Sequence, residues 1–513
     1  MTTRRGVMAG LLLTSVFVIA TCGLVYELIA GTLASYLLGD SVTQFSTVIG
    51  VYLSAMGVGS YLSSRVERGL LELFVRTEIL IGLIGGYSAA LLFTVFDTVT
   101  SFRIPLFGIL AVVGVLVGVE IPLLLRILRD QFAFKDLVAR VLTFDYIGAL
   151  FASLLFPLVL VLHLGLIRSS FMFGILNVAV ALWLLFTLGS AMGWVRTHRA
   201  VAVAALVALA AGFVYADRIM ELSEAGIYTD PVIYAQSTPY QRIVLTATRH
   251  DLRLYLNGNL QFSSRDEYRY HEALVHPGLT GVVSPRHVLI FGGGDGLAAR
   301  EVLNHPGVES ITQIEIDPAM MKLFSTNSLL NGLNADVFNS PKLHVTNSDA
   351  FVWLKEQASL PDHPRFDFVI VDFPDPSNYS IGKLYTLTFF KLIHQVLAPN
   401  GSIVVQSTSP YVARQSYWCV VTTLEAAGFT TLPYHAYVPS FGEWGFVLAA
   451  RQDPRVPAQA EYPPGLRYVS AATMQDMRHF PSDMDRVPTE VNRLDSQALV
   501  RYFDAEWAEY VVN

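Results

Sequence analysis

The sequence predicts two parts: an N-terminal α-helical transmembrane bundle of about seven spans over residues 1–216, and a C-terminal α/β domain with a mainly parallel sheet, led in by a small β-hairpin region. Three observations carry this reading. Only 15% of the 513 residues are charged and the mean hydropathy is +0.46, too apolar for a soluble chain of this length. The excess is confined to the first 216 residues, as runs close to the roughly 20 residues that cross a bilayer as helix. From about Tyr228 short apolar strands alternate with helical stretches, and one strand, Val288-Leu289-Ile290-Phe291, feeds the turn Gly292-Gly293-Gly294-Asp295-Gly296.

Spans are expected at 7–28, 43–63, 76–96, 104–125, 141–162, 169–189 and 200–216. The last is short and alanine-rich, and six to eight spans fit the pattern. Thr2-Thr3-Arg4-Arg5 resembles the start of a signal peptide, but no small-residue cleavage site follows, so the first span reads as a retained anchor. Arg65, Arg68, Arg76, Arg126, Arg129, Lys135, Arg140, Arg196 and Arg199 fall on the same side as Arg4 and Arg5, against Arg103 and Arg168 on the other. That bias places the N-terminus in the cytoplasm and the chain in the cell's inner membrane as a multi-pass protein, while the span count leaves the side of the second half open. Ionisable Glu27, Glu120 and Asp145 lie within spans, where they are costly and often functional. Two cysteines, Cys22 and Cys419, cannot form a disulfide framework, and a net charge of −7 argues against nucleic-acid binding.

In the second half, residues 228–285 form the β region and a helix, 286–450 the α/β core and 451–513 a C-terminal extension. Hairpin strands are expected at 242–246 and 252–256, with Asn257-Gly258 as a tight-turn signal. Core strands follow at 287–291, 311–316, 342–346, 367–372, 402–406, 431–437 and 444–450. Such alternation implies a sheet covered on both faces with ligands at the carboxyl ends of its strands. The glycine turn, with a helix starting near Leu297, suits a nucleoside or nucleotide. Asp295 inside it repels an anion and favours a cation. Glu315, some twenty residues on, is placed to take ribose hydroxyls, and Asp349-Ala350 suits an adenine edge. The fourth core strand ends in Asp372-Phe373-Pro374-Asp375-Pro376, adding two carboxylates beside Asp295 for metal binding, polyamine binding or proton transfer. Metal is the weakest of these, because no His cluster accompanies them.

Together Gln241 in Tyr240-Gln241-Arg242, the segment Gln261 to Glu272, Gly292 to Gly296, Glu315-Ile316-Asp317, Asp349-Ala350 and Asp372-x-x-Asp375-Pro376 resemble the spermidine synthase (polyamine aminopropyltransferase) family over about Tyr234 to Phe446. The membrane half resembles that family's membrane-bound bacterial members. The resemblance implies a Rossmann-like, methyltransferase-type core. It also implies transfer of an aminopropyl group from decarboxylated S-adenosylmethionine to an amine such as putrescine, leaving 5′-methylthioadenosine. Asp372 is then the proton acceptor. His271, Asp295, Asp375, Tyr270 and Tyr437 contact the amine or aminopropyl chain, while Gln241, Glu315, Asp349, Ala350, Gly292 and Gly294 hold the nucleoside. No metal or other cofactor is implied. Expected partners are the two small substrates, a lipid bilayer and further copies of the chain in a homo-oligomer, with no nucleic acid.

The segment Ser377-Asn378-Tyr379-Ser380, the loop Gln406 to Pro410 and the segment Tyr437 to Trp444 depart from the family pattern, and all border the expected acceptor pocket. Two other readings remain: a membrane-tethered methyltransferase, disfavoured by Asp295 and the Asp372/Asp375 pair, and a polyamine transporter or sensor, disfavoured by the presence of a base.

Overall fold

The computed structural model describes residues 2–38, 41–96, 99, 101–129, 133–189, 192–220 and 228–512. It divides into two compact units, Met1–Thr229 and Asp230–Asn513.

Among the described residues of the first unit, seven helices are long and apolar enough to cross a membrane: α1 (Thr2–Leu38), α2 (Ser41–Ser63), α3 (Leu70–Val95), α4 (Arg103–Leu128), α5 (Phe134–Leu155, continued to Leu160 by a wide turn at Pro157), α6 (Gly165–Thr187) and α7 (Val195–Val214). The first apolar segment is Leu12–Ser35, later than the expected 7–28, because α1 runs unbroken to Leu38 and stays apolar past residue 28. Likewise α3 starts at Leu70, as Glu72 and Arg76 pair one turn apart on its surface. Helices as apolar as these are held together by close packing. Between α2 and α4 small residues supply it: a Cβ on Gly118 would lie 2.1 Å from the Met56 carbonyl oxygen, and one on Gly59 1.9 Å from that of Val115.

The second unit opens with an antiparallel meander, β1 (Val232–Ser237), β2 (Arg242–Ala247), β3 (Leu252–Leu256) and β4 (Asn259–Ser263). Asn257 and Gly258 both take positive φ in the β3–β4 turn, as the Asn-Gly pair predicts. After α8 (Glu267–Gly281) come β5 (His287–Gly292), α9 (Leu297–Leu303), β6 (Ser310–Glu315), α10 (Pro318–Thr326), β7 (Leu343–Asn347), α11 (Ala350–Ser359), β8 (Phe366–Asp372), α12 (Leu387–Val396), β9 (Leu397–Gln406), α13 (Arg414–Ala426), β10 (Thr430–Val438) and β11 (Gly442–Ala450).

These strands form one sheet in the order β10-β11-β9-β8-β5-β6-β7, parallel from β9 to β7, with β11 antiparallel to β9 and β10 antiparallel to β11. Alternation along β5 sends Val288 and Ile290 into one core and Leu289 and Phe291 into another, so both faces are covered. β9 begins at Leu397 rather than at 402, because an irregular register against β8 absorbs the Pro399-Asn400-Gly401 segment. The chain crosses from β7 back past β5 to β8, which makes the β5/β8 boundary the topological switch point where such sheets bind ligands.

The C-terminal extension is fastened to this core by buried polar groups. Glu272 on α8 is 3% exposed and accepts from the backbone N–H groups of Arg467, Tyr468 and Val469 at 2.8–2.9 Å. Glu506 on α14 (Ala498–Val512) accepts from Gln415 and Ser416 at the start of α13, where the helix dipole favours a carboxylate. Replacing Glu272 by Ala leaves three donors without an acceptor and is expected to cost about 3 kcal/mol locally. Hydrogen exchange read by mass spectrometry should then show residues 467–470 losing roughly a hundredfold in protection while β5 and β8 keep theirs.

Candidate active site

Four successive strand ends carry the expected site residues. In the sheet order β8-β5-β6-β7, Asp372 closes β8, the glycine turn leaves β5, Glu315 closes β6 and Asp349 follows β7. The glycine turn is tight for a steric reason. Gly292 pairs with Asp372 across the two strands at φ +80, and a Cβ there would lie 2.2 Å from the Asp372 carbonyl oxygen. A Cβ on Gly294 would lie 2.7 Å from Glu315 Oε2, so this turn also rests against the next carboxylate. Gln313, buried on β6, donates to the carbonyls of Gly292 (2.9 Å) and Gly293 (2.6 Å) and fixes the loop from below.

Asp372 accepts from the Tyr270 hydroxyl at 2.6 Å. Burial pushes its carboxyl up to about 6, with Asp295 adding in the same direction and His271 and the Tyr270 bond opposing. Asp295 accepts from the Leu297 N–H at 2.9 Å, so it also starts α9. Its carboxyl is raised, chiefly by burial. Asp375 accepts from Thr408 Oγ1 at 3.2 Å, its Oδ1 has no hydrogen-bond partner, and burial carries it up to about 7. Three partly buried carboxyls, each raised above the usual range, make a place that gains from an incoming cation.

His271 is 2% exposed, with Nδ1 2.9 Å from both the carboxylate and the backbone carbonyl of Glu267, itself bound in two places by Arg300. Burial works against its charge, but the Glu267 carboxylate outweighs burial and carries the imidazole up to about 9. A protonated imidazole donates from both nitrogens. Asp295 and Asp372 add to the Glu267 effect through their charges, which places the ring beside the acidic group where the sequence expects an amine contact.

On the nucleoside side, Glu315 is 8% exposed, accepts from the Asp317 N–H and is raised to about 7, mainly by burial. Asp317, not assigned a role from the sequence, accepts from Thr238 (2.8 Å) and Gln241 Nε2 (2.9 Å), tying the β1–β2 hairpin to the end of β6. Asp349 caps α11 by accepting from Phe351 and Val352, leaving Ala350 buried behind it, and pairs with Lys383 at 2.7 Å. Burial raises the Asp349 carboxyl, yet the Lys383 and backbone bonds win and hold it below its usual range.

Tyr437 is not brought to this group. Tyr434, Ala436 and Val438 are buried on one face of β10, so alternation sends the Tyr437 ring to the other, where it is 51% exposed; only its backbone carbonyl meets α8, through Arg269. Phe441 and Trp444 take that wall instead. Their rings lie 5.3 Å apart, Phe441 is 6.3 Å from Tyr270, and the Trp444 indole donates to Gln406 Oε1 at 3.1 Å. Gln406 in turn donates to the Phe373 carbonyl and to Tyr385 Oη (3.0 Å), supporting the Asp372–Asp375 loop. Lys383, Gln406, Phe441 and Trp444 lie in or beside the segments whose sequence departs from the family pattern, which is the one signal that could have found them.

Comparison with known proteins agrees in extent. The spermine/spermidine synthase domain matches residues 267–459. A polyamine aminopropyltransferase of Leptospira interrogans is 51% identical over 493 residues, 96% of this chain and 98% of its own. Polyamine aminopropyltransferase 2 of Ralstonia nicotianae is 53% identical over 512 residues, 97% of this chain and 98% of its own. A crystal structure of spermidine synthase in complex with the transition state analogue AdoDATO is 22% identical, with TM-score 0.45, covering 49% of this chain and 85% of its own. Because the full-length relatives match the apolar N-terminal half as well as the α/β half, the chain belongs as a whole to the spermine/spermidine synthase family of polyamine aminopropyltransferases.

Proposed function

We propose that the chain transfers the aminopropyl group of decarboxylated S-adenosylmethionine to an amine such as putrescine, giving spermidine and 5′-methylthioadenosine, with Asp372 as the proton acceptor. The observation that carries this reading is the placement of Asp372. It sits at the switch point beside the glycine turn, is held by Tyr270, and is raised to about 6 by burial.

A primary amine with pKa near 10.4 is protonated at pH 7, and freeing its lone pair costs roughly 4–5 kcal/mol, from about 3.4 units at 1.36 each. A carboxylate near 6 is still ionised at pH 7 and is a stronger base than an ordinary aspartate, so it narrows that gap. Asp375, with an unpartnered oxygen, receives the incoming ammonium and aligns its nitrogen. The nitrogen attacks the carbon next to the sulfonium, the carbon–sulfur bond breaks, and the proton goes to Asp372. Because the sulfonium is already a good leaving group, the step needs no metal. His271 supplies a fixed positive charge that keeps Asp372 and Asp295 ionised together.

Glu315 holds the ribose, Asp349 and Ala350 the adenine, and Gln241 the nucleoside from the β hairpin, with Gly292 and Gly294 allowing close approach. Asp295 selects the donor: the carboxylate of intact S-adenosylmethionine about 4 Å away would cost roughly 4 kcal/mol at an effective dielectric of 20. A multi-pass location in the cell's inner membrane belongs to the same reading, supported by the seven apolar helices and by Leu53, Leu150, Phe186 and Val207 exposed on them.

The decisive experiment incubates purified protein with decarboxylated S-adenosylmethionine and a panel of di- and triamines and identifies products by mass; methyl transfer from intact S-adenosylmethionine would overturn the reading. Asp372→Asn is expected to lower kcat by about 10²–10⁴ while nucleoside binding, read by calorimetry, stays unchanged. In the wild type, kcat/KM should fall as pH drops through about 7 and 6, as Asp375 and then Asp372 take up protons and cease to bind or deprotonate the amine. Asp295→Asn should narrow the preference for the decarboxylated over the intact nucleoside in competition assays; an unchanged ratio removes Asp295 as the selector.

A further inference from the structure

A second acidic site lies wholly within the helical unit. Glu78 on α3 is fully buried and Glu120 on α4 is 1% exposed, and their carboxyls act directly on each other. Cys22 and Tyr26 of α1 and Tyr52 of α2 surround them, with Asp145 of α5 acting on Glu120 and Glu27 on Tyr52. Every ionisable group in this set is an acid. Among the described residues no lysine, arginine or histidine acts on either glutamate.

The hydrogen-bond accounting is incomplete in a specific way. Both carboxyl oxygens of Glu78 and Oε1 of Glu120 are buried with no partner other than each other's carboxyl, and the Tyr26 hydroxyl is buried without one. Tyr26 is 3% exposed and its ring tip is directed at α3: a Cβ on Gly85, two turns beyond Glu78 on the same face, would lie 2.7 Å from Tyr26 Cζ. One proton shared between the glutamates leaves a net negative charge and still leaves acceptors without donors. In a membrane interior such groups mark a ligand or ion path. Among the described residues no three His, Cys, Asp or Glu side chains are grouped to hold a metal ion, which disfavours a divalent cation. An alkylammonium fits both requirements, with one positive charge, three N–H donors and tyrosine faces beside it.

We propose that the Glu78–Glu120 pair, with Tyr26, forms a binding site for a protonated primary amine inside the helical bundle, separate from the Asp372 site. Glu27 and Asp145, both only partly buried, add two further acids to its surroundings.

The test uses the full chain in lipid nanodiscs with radiolabelled 1,4-diaminobutane as probe. Equilibrium binding should count one more equivalent on the parent than on Glu78→Gln/Glu120→Gln, while both release methylthioadenosine at the same rate. Infrared difference spectra should show the protonated-carboxyl absorption of the parent lost on adding amine, with no such change in the double variant. Tyr26→Phe, a milder change, should weaken the extra equivalent by roughly tenfold, the effect of one lost hydrogen bond to a charged group. Equal equivalents on parent and double variant, or a carboxyl absorption indifferent to amine and thus a site for protons only, would overturn the proposal.

Discussion

The closeness of β5 and β8 at their carboxyl ends is the constraint from which the rest of the catalytic unit follows. With Gly292 set against the Asp372 carbonyl, no side chain can occupy the first turn position and the backbone must leave the strand at positive φ. The same contact fixes where the Asp372 side chain begins, and Gly294 brings Glu315 against the loop. The course of the glycine turn and the position of the Asp372 carboxylate thus come from one steric fact. The acidic residues could not be so concentrated without compensation, and the Glu267–His271 pair, braced by Arg300, places one buried positive charge among them.

Much of this was legible in the sequence because it is local. Glycines in a row after an apolar strand, acids at strand ends, and Asn257-Gly258 between alternating residues each state their conformation within a few positions. The parallel core and the seven apolar helices followed from periodicity, which needs no knowledge of partners. Errors came where distant residues decide the outcome. Tyr437 was assigned by its place in the chain, yet strand alternation turns it away, and Phe441 and Trp444 reach Tyr270 and Gln406 through a hairpin whose register the sequence does not print. The charge state of His271 depends on Glu267, one turn away, which the fold brings to Arg300. Lys383 escaped notice since only the fold brings it to Asp349.

The helical unit shows the same distinction. Its span positions are readable to within several residues, and the first differs because α1 continues as apolar helix past residue 28. Glu78 drew no attention in the sequence, close as it is to Arg76 and Glu72 at a span's start. Only packing reveals that it turns inward to meet Glu120, while Glu72 and Arg76 remain at the surface.

The polar clasps of the C-terminal extension bear on how the protein is made. Asn492 donates to the carbonyls of Gly382 and Tyr385, more than a hundred positions earlier, and Glu506 closes on the start of α13 ninety positions before it. The segment behind Asp375 therefore acquires its final shape only after residue 492 has emerged from the ribosome, long after the apolar helices have been synthesised. The apolar helices are complete in synthesis before the catalytic unit can close around its site.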